Sequence, residues 1–179
     1  GSPTFTSNTF ENNRNGLIVM QASGLVATGN TFTENFAEAL RISGPVGTVR
    51  DNGGSQNGTN AIVVDGGSLT EENSMTTLFP NARSYLFTYE SVVVASSTPS
   101  FNPGVVIKVH GSGPSTIKAR LTVRNGGVLA FEGATTTDLI FTSIHDDSVG
   151  GAVYSATTSP NAGDWHGIKA EEGSTINLK

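Results

Sequence analysis

Short apolar runs recur along the first third of the chain, each set off by polar turns: Leu17-Ile18-Val19, Leu40-Arg41-Ile42 and Ile62-Val63-Val64. Between them the polar positions are periodic. Asn8, Asn30 and Asn52 fall 22 residues apart, Asn13, Asn35 and Asn57 repeat that interval, and the words Asn8-Thr9-Phe10 and Asn30-Thr31-Phe32 are identical. A fixed interval of this size marks a stack of like units. No window keeps apolar residues at i, i+3, i+4, i+7 for more than about two turns, so the units are built of strands. At roughly 3.3 Å per residue, three short strands and their turns fill such an interval, and successive coils would lie about 4.8 Å apart. The pattern predicts an all-β fold, a right-handed parallel β-helix with coils of roughly 22 residues.

Stacking then puts like on like: Phe10 over Phe32, and Leu17 over Leu40 over Ile62. The asparagines have two readings. They are exposed turn formers, or they are buried rungs whose amides bond from coil to coil. The strict spacing favours the ladder, with asparagine itself taking the left-handed conformation at each corner. The run Asn-Thr-Phe-x-x-Asn followed by Gly-Leu-Ile-Val resembles the repeat of pectin-lyase-like proteins over about three coils. That resemblance implies the fold and says almost nothing about function.

The phase fades after Gly66-Gly67, and residues 67–84 are polar and without alternation. They read as a linker or irregular excursion between a first β-helix segment, 1–66, and a second, 85–179. In the second segment Gly104-Val105-Val106-Ile107-Lys108 returns as Gly127-Val128-Leu129-Ala130-Phe131 and again at Gly167-Ile168-Lys169-Ala170. The last step is long by about one loop, which places an insertion at 145–164. Long loops on repeat scaffolds are often functional. Residues 85–170, from Tyr85 through Pro103-Gly104-Val105-Val106-Ile107-Lys108 to Gly163-Asp164-Trp165-His166-Gly167-Ile168, resemble a pattern of large secreted bacterial β-helix proteins of the adhesin type. Where that pattern carries Gly-Gly-Asp, this chain has Gly150-Gly151-Ala152, one carboxylate fewer in the loop.

Composition narrows the partners. Charged residues make up 14% of the 179, with net charge −5 and no basic stripe, which argues against nucleic acid. The absence of cysteine excludes a disulfide scaffold, a cysteine zinc site and thiol chemistry. No run approaches the roughly 18 apolar residues of a membrane span. The opening Gly1-Ser2 reads as a cloning remnant and the chain as a piece of a longer protein.

The insertion holds the candidate chemistry. Asp146, Asp147 and Asp164, with loop carbonyls, offer oxygens of the kind calcium takes; the plainer reading is turn hydrogen bonds facing water. Trp165 is either a sugar-stacking platform or a plug over apolar atoms, with His166 beside it as a candidate ligand contact. His110, His145 and His166 lack zinc-ligand spacing. Glycan hydrolysis needs paired carboxylates on one face, and of the polygalacturonase motifs only Asp146-Asp147 and Arg41-Ile42 echo here, in the wrong order. Threonine pairs Thr6/Thr28 and Thr9/Thr31 stop after two rungs, too few for an ice-binding face. The expectation is a non-enzymatic structural or adhesive segment of a secreted or surface-anchored bacterial protein, with an extracellular surface or polysaccharide as partner. The alternatives are a polysaccharide-binding or -cleaving β-helix and a fibre component that associates through its open coil ends.

Overall fold

The computed structural model describes residues 1–21, 25–66, 68–69, 74–75, 84–88, 90–93, 100–101, 105–110, 120–131, 139–153 and 159–178. They wind into six coils and most of a seventh, each complete coil contributing three strands. The first coil holds β1 (Thr4–Thr6), β2 (Thr9–Glu11) and β3 (Leu17–Met20); the second holds β4 (Val26–Thr28), β5 (Thr31–Thr33) and β6 (Glu38–Ser43). In the third lie β7 (Thr48–Arg50), β8 (Gly53–Ser55) and β9 (Thr59–Asp65), and in the fourth β10 (Ser68–Leu69), β11 (Ser74–Met75) and β12 (Ser84–Thr88). The fifth comprises β13 (Glu90–Val93), β14 (Ser100–Phe101) and β15 (Val105–His110), and the sixth β16 (Arg120–Val123), β17 (Val128–Phe131) and β18 (Leu139–Ser143). β19 (Ile168–Ala170) and β20 (Thr175–Leu178) close the series.

Every described pairing is parallel. One six-stranded sheet, β3-β6-β9-β12-β15-β18, runs the length of the molecule. The other two sides are each divided after the third coil, into β1-β4-β7 with β10-β13-β16-β19, and β2-β5-β8 with β11-β14-β17-β20. The stretch 67–84, where the sequence suggested a linker, therefore carries β10, β11 and the first residue of β12, and the six-stranded sheet crosses it unbroken. Its remaining residues lie outside those described. The repeat fades in sequence because side-chain identity at the corners changes, while the backbone ladder asks only for strands in register.

The register is the predicted one: Phe10 pairs with Phe32, and Leu17, Leu40 and Ile62 share a row. The two phenyl rings stack at 5.0 Å with planes 8° apart. Because side chains alternate across a strand, Leu40, Ile42, Ile62, Val64, Ile107 and Val109 fill the interior and are fully or almost fully buried. Each such side chain contributes about 1.5–3 kcal/mol when removed from water.

The asparagines form the ladder. Asn30, Asn35, Asn52 and Asn57 are all buried. Asn30 Nδ2 donates to Asn52 Oδ1 at 2.8 Å and to the Phe5 carbonyl at 3.0 Å, while its own Oδ1 accepts from the Asn8 amide and Nδ2. Asn35 does the same with Asn57, Phe10 and the Asn13 amide. The left-handed residue at each corner is not the rung itself but the residue before it. Ser7, Asn12, Gly29, Glu34, Asp51 and Gln56 have φ between 55 and 65°. That turn aims the following asparagine inward, where its amide meets the next coil. The 35/57 column ends within its own coil, where Asn60 Oδ1 accepts from the Asn57 amide and Nδ2. At the neighbouring corner the coils approach so closely that a Cβ on Gly58 would lie 2.2 Å from the Phe36 carbonyl oxygen.

Candidate functional site

The outward face of the six-stranded sheet carries the features that the repeat does not explain. Ile18, Arg41, Val63, Leu86, Lys108 and Thr142 are successive register partners across it. At the first strand Ile18 and Met20 are exposed. Next, Arg41 bridges Glu38 and Asp65, all three partly shielded, and the Glu38 hydrogen bond is the main cause of a guanidinium pKa raised above its already high ordinary value. Beyond it Ala61 and Val63 point outward and are nevertheless buried. They pack with Ile144, at the start of the loop that follows β18, and with Val153 further along it. β9 lies three strands from β18, so the loop reaches back roughly 14 Å across the sheet.

Lys108 sits under this loop. Its relative exposure is 0%, rare for lysine. The ammonium donates to the Asp146 carbonyl at 2.5 Å and to the Gly151 carbonyl. Burial pushes its pKa down, and the nearby Asp147 and Asp146 carboxylates oppose that shift. The lysine thus holds the loop by two of its carbonyls. Sequence reasoning missed it, although a lone charge inside Val105-Val106-Ile107-Lys108-Val109 was a visible signal.

The expected acidic trio is not assembled. Asp146 accepts from Thr142 Oγ1 at 2.6 Å and from the Ser148 amide and hydroxyl. Those bonds, Ser148 first, hold its carboxyl below the ordinary range. Asp164 instead accepts from Ser143 Oγ at 2.5 Å and from the Asn161 amide at 2.9 Å. Thr142 and Ser143 are consecutive in a strand and face opposite sides of the sheet. Their partners are therefore separated: Asp146 and Asp147 stand on the outer face, Asp164 at the interior edge. Among the described residues no three His, Cys, Asp or Glu side chains gather as metal ligands. Asp147 Oδ2 is buried with no hydrogen-bond partner.

A family description, right handed beta helix region, matches residues 1–97, more than half of the chain. The chain belongs to the right-handed β-helix family. The match ends before β15 and the loop, although the same three-sided winding continues to β20 in this β-helix. No curated protein and no solved structure matches the chain.

The remaining candidates divide as well. Trp165 is half-buried, packs against the core and stacks on Phe141 at 6.5 Å, whereas His166 is exposed. Phe141 points inward from the last strand of the long sheet, so the indole packs onto the apolar column of the β-helix. His110 and His145 lie close together on adjacent coils; burial, then His145, keeps His110 below its ordinary range.

Proposed function

We propose that this β-helix is a structural, adhesion-type segment of a larger secreted or surface-anchored bacterial protein and is not itself an enzyme. The observation that carries this reading is the use made of the loop's polar groups. The carboxylates of Asp146 and Asp164 each take several hydrogen bonds from loop and strand, and Lys108 holds the loop's carbonyls. Groups engaged in this way fix a shape. Glycan hydrolysis would instead need two carboxyls facing one bond across about 5–10 Å. A continuous sheet with amide ladders suits a rod that transmits load from coil to coil.

The test pairs a glycan array with an assay for reducing ends and unsaturated products on acidic polysaccharides. The proposal expects no turnover, and any glycan retained on the array to be released intact. Product formation that disappears in Asp146→Ala or Asp147→Ala would overturn it in favour of a polysaccharide-cleaving β-helix.

A further inference from the structure

The close-packed corners carry a chemical hazard. Asparagine followed by glycine occurs four times, at Asn15-Gly16, Asn52-Gly53, Asn57-Gly58 and Asn125-Gly126. A glycine amide nitrogen has no side chain beside it to hinder its approach to the side-chain carbon of the preceding asparagine, and such pairs are thermolabile. Three of the four are restrained. The Asn52 and Asn57 side chains are buried: their Nδ2 groups donate to the Ala27 and Phe32 carbonyls at 2.9 and 3.0 Å, and each Oδ1 accepts from the asparagine 22 residues earlier. The Gly53 and Gly58 amides donate to the Asn30 and Asn35 carbonyls at 2.8 and 2.9 Å. Asn15 is half-buried, and Gly16 is wedged between coils: its amide donates to the Glu38 carbonyl at 2.8 Å, and a Cβ there would lie 2.4 Å from the Ala39 carbonyl oxygen.

Asn125 differs. It and Gly126 are the exposed centre of a turn that the Gly127 amide closes onto the Arg124 carbonyl at 2.7 Å, with Gly126 at φ 76°. The Asn125 side chain makes no hydrogen bond among the described residues, and the Gly126 amide is restrained by one bond, to the Gly173 carbonyl on the next coil at 3.1 Å. We infer that Asn125 is a modification site, the one asparagine-glycine pair that deamidates while the chain stays folded. Local opening of this turn frees the Gly126 nitrogen. It loses its proton to solvent base and attacks Asn125 Cγ. The N–Cγ bond forms, the Cγ–Nδ2 bond breaks, and ammonia leaves with a proton returned from water. Water then opens the succinimide at either carbonyl and leaves aspartate or isoaspartate. The inter-coil bonds of the ladder therefore guard its rungs chemically as well as hold them. Conversion of Asn57 would set a carboxylate oxygen against the Phe32 carbonyl in place of a donor.

The experiment holds the unaltered chain in mildly alkaline buffer, once folded and once in denaturant. Peptides covering the four pairs are followed by mass spectrometry, with fragmentation to tell aspartate from isoaspartate. In the folded chain Asn125 is expected to convert faster than Asn52 and Asn57 by about tenfold or more, and faster than Asn15; in denaturant the four rates should converge to within about threefold. Asn125→Gln, whose longer side chain must close a larger ring, should abolish conversion in its own peptide and leave the other three rates unchanged. An Asn125 that stays intact in the folded chain, a ladder asparagine that converts as fast as Asn125, or an Asn125 that leads by the same margin in denaturant would overturn the inference.

Discussion

In the first three coils a buried asparagine finds its partner 22 residues away, in the same place on the next coil, whereas Lys108 finds its partners 38 and 43 residues away, in a loop that interrupts the repeat. Both arrangements put polar atoms out of reach of water and satisfy them. The ladder does it by translation: one neutral side chain, copied, is donor to one neighbour and acceptor to another. The loop does it once, with a charge, and the cost of burying that charge appears as the lowered lysine pKa. Repetition therefore spreads polar burial through the body of the rod, while the clamp confines it to one point on the outer face. The two should fail differently when broken.

The largest effect is expected from the ladder. Asn35→Ala strands the Phe10 carbonyl and the Asn13 amide and leaves Asn57 Oδ1 with the Asn35 backbone amide alone, a loss of about 2–4 kcal/mol at 1–3 kcal/mol for each unsatisfied group. Asn13→Ala, at the exposed end, should cost under about 0.5 kcal/mol. Denaturant unfolding of the two variants checks the contrast; equal losses would mean that the rungs act as turn formers only. Gly58→Ala comes next, at about 1–3 kcal/mol, because its methyl group would collide with the Phe36 and Ala37 carbonyls.

Lys108→Met should be smaller in global stability, about 1–2 kcal/mol, since the lost carbonyl bonds are offset by relief of a buried charge. The smallest effect is acid release of the loop. The Asp146 carboxyl is held below its ordinary 3.8, so its contribution is complete above that pH and is lost as pH falls through the lower folded value. Tryptophan emission from Trp165, with Asp146→Asn as the insensitive control, should show a transition below pH 3.8 and none between pH 5 and 8.

Much of the fold was legible because a stacked coil writes its period into the sequence. Asn8, Asn30 and Asn52 announced coil length, and Leu17, Leu40 and Ile62 announced register. The corner conformation was misplaced by one residue: the left-handed positions hold Ser, Asn, Gly, Glu, Asp and Gln, so no single residue type marked them. Continuity across 67–84 was invisible for a similar reason, since parallel pairing constrains backbone and not side-chain identity. The insertion was located by the interrupted phase, but its destination was not. That Ile144 and Val153 return to Ala61 and Val63 depends on contacts between residues about 80 or more apart, which no local pattern encodes. Asp146 and Asp164 looked like one group in the linear chain and were divided by the alternation of Thr142 and Ser143.

Whether ladder and clamp bury their polar groups independently is read by hydrogen–deuterium exchange on Asn35→Ala and Lys108→Met beside the unaltered chain. Lys108→Met is expected to speed exchange over residues 144–153 and, where the loop covers β9, over residues 59–65, and to leave residues 1–58 unchanged. Asn35→Ala is expected to speed exchange across β2, β5 and β8 first and to leave 144–153 closed. The same exchange pattern in both variants, or a loop that stays protected without the lysine, would contradict that independence.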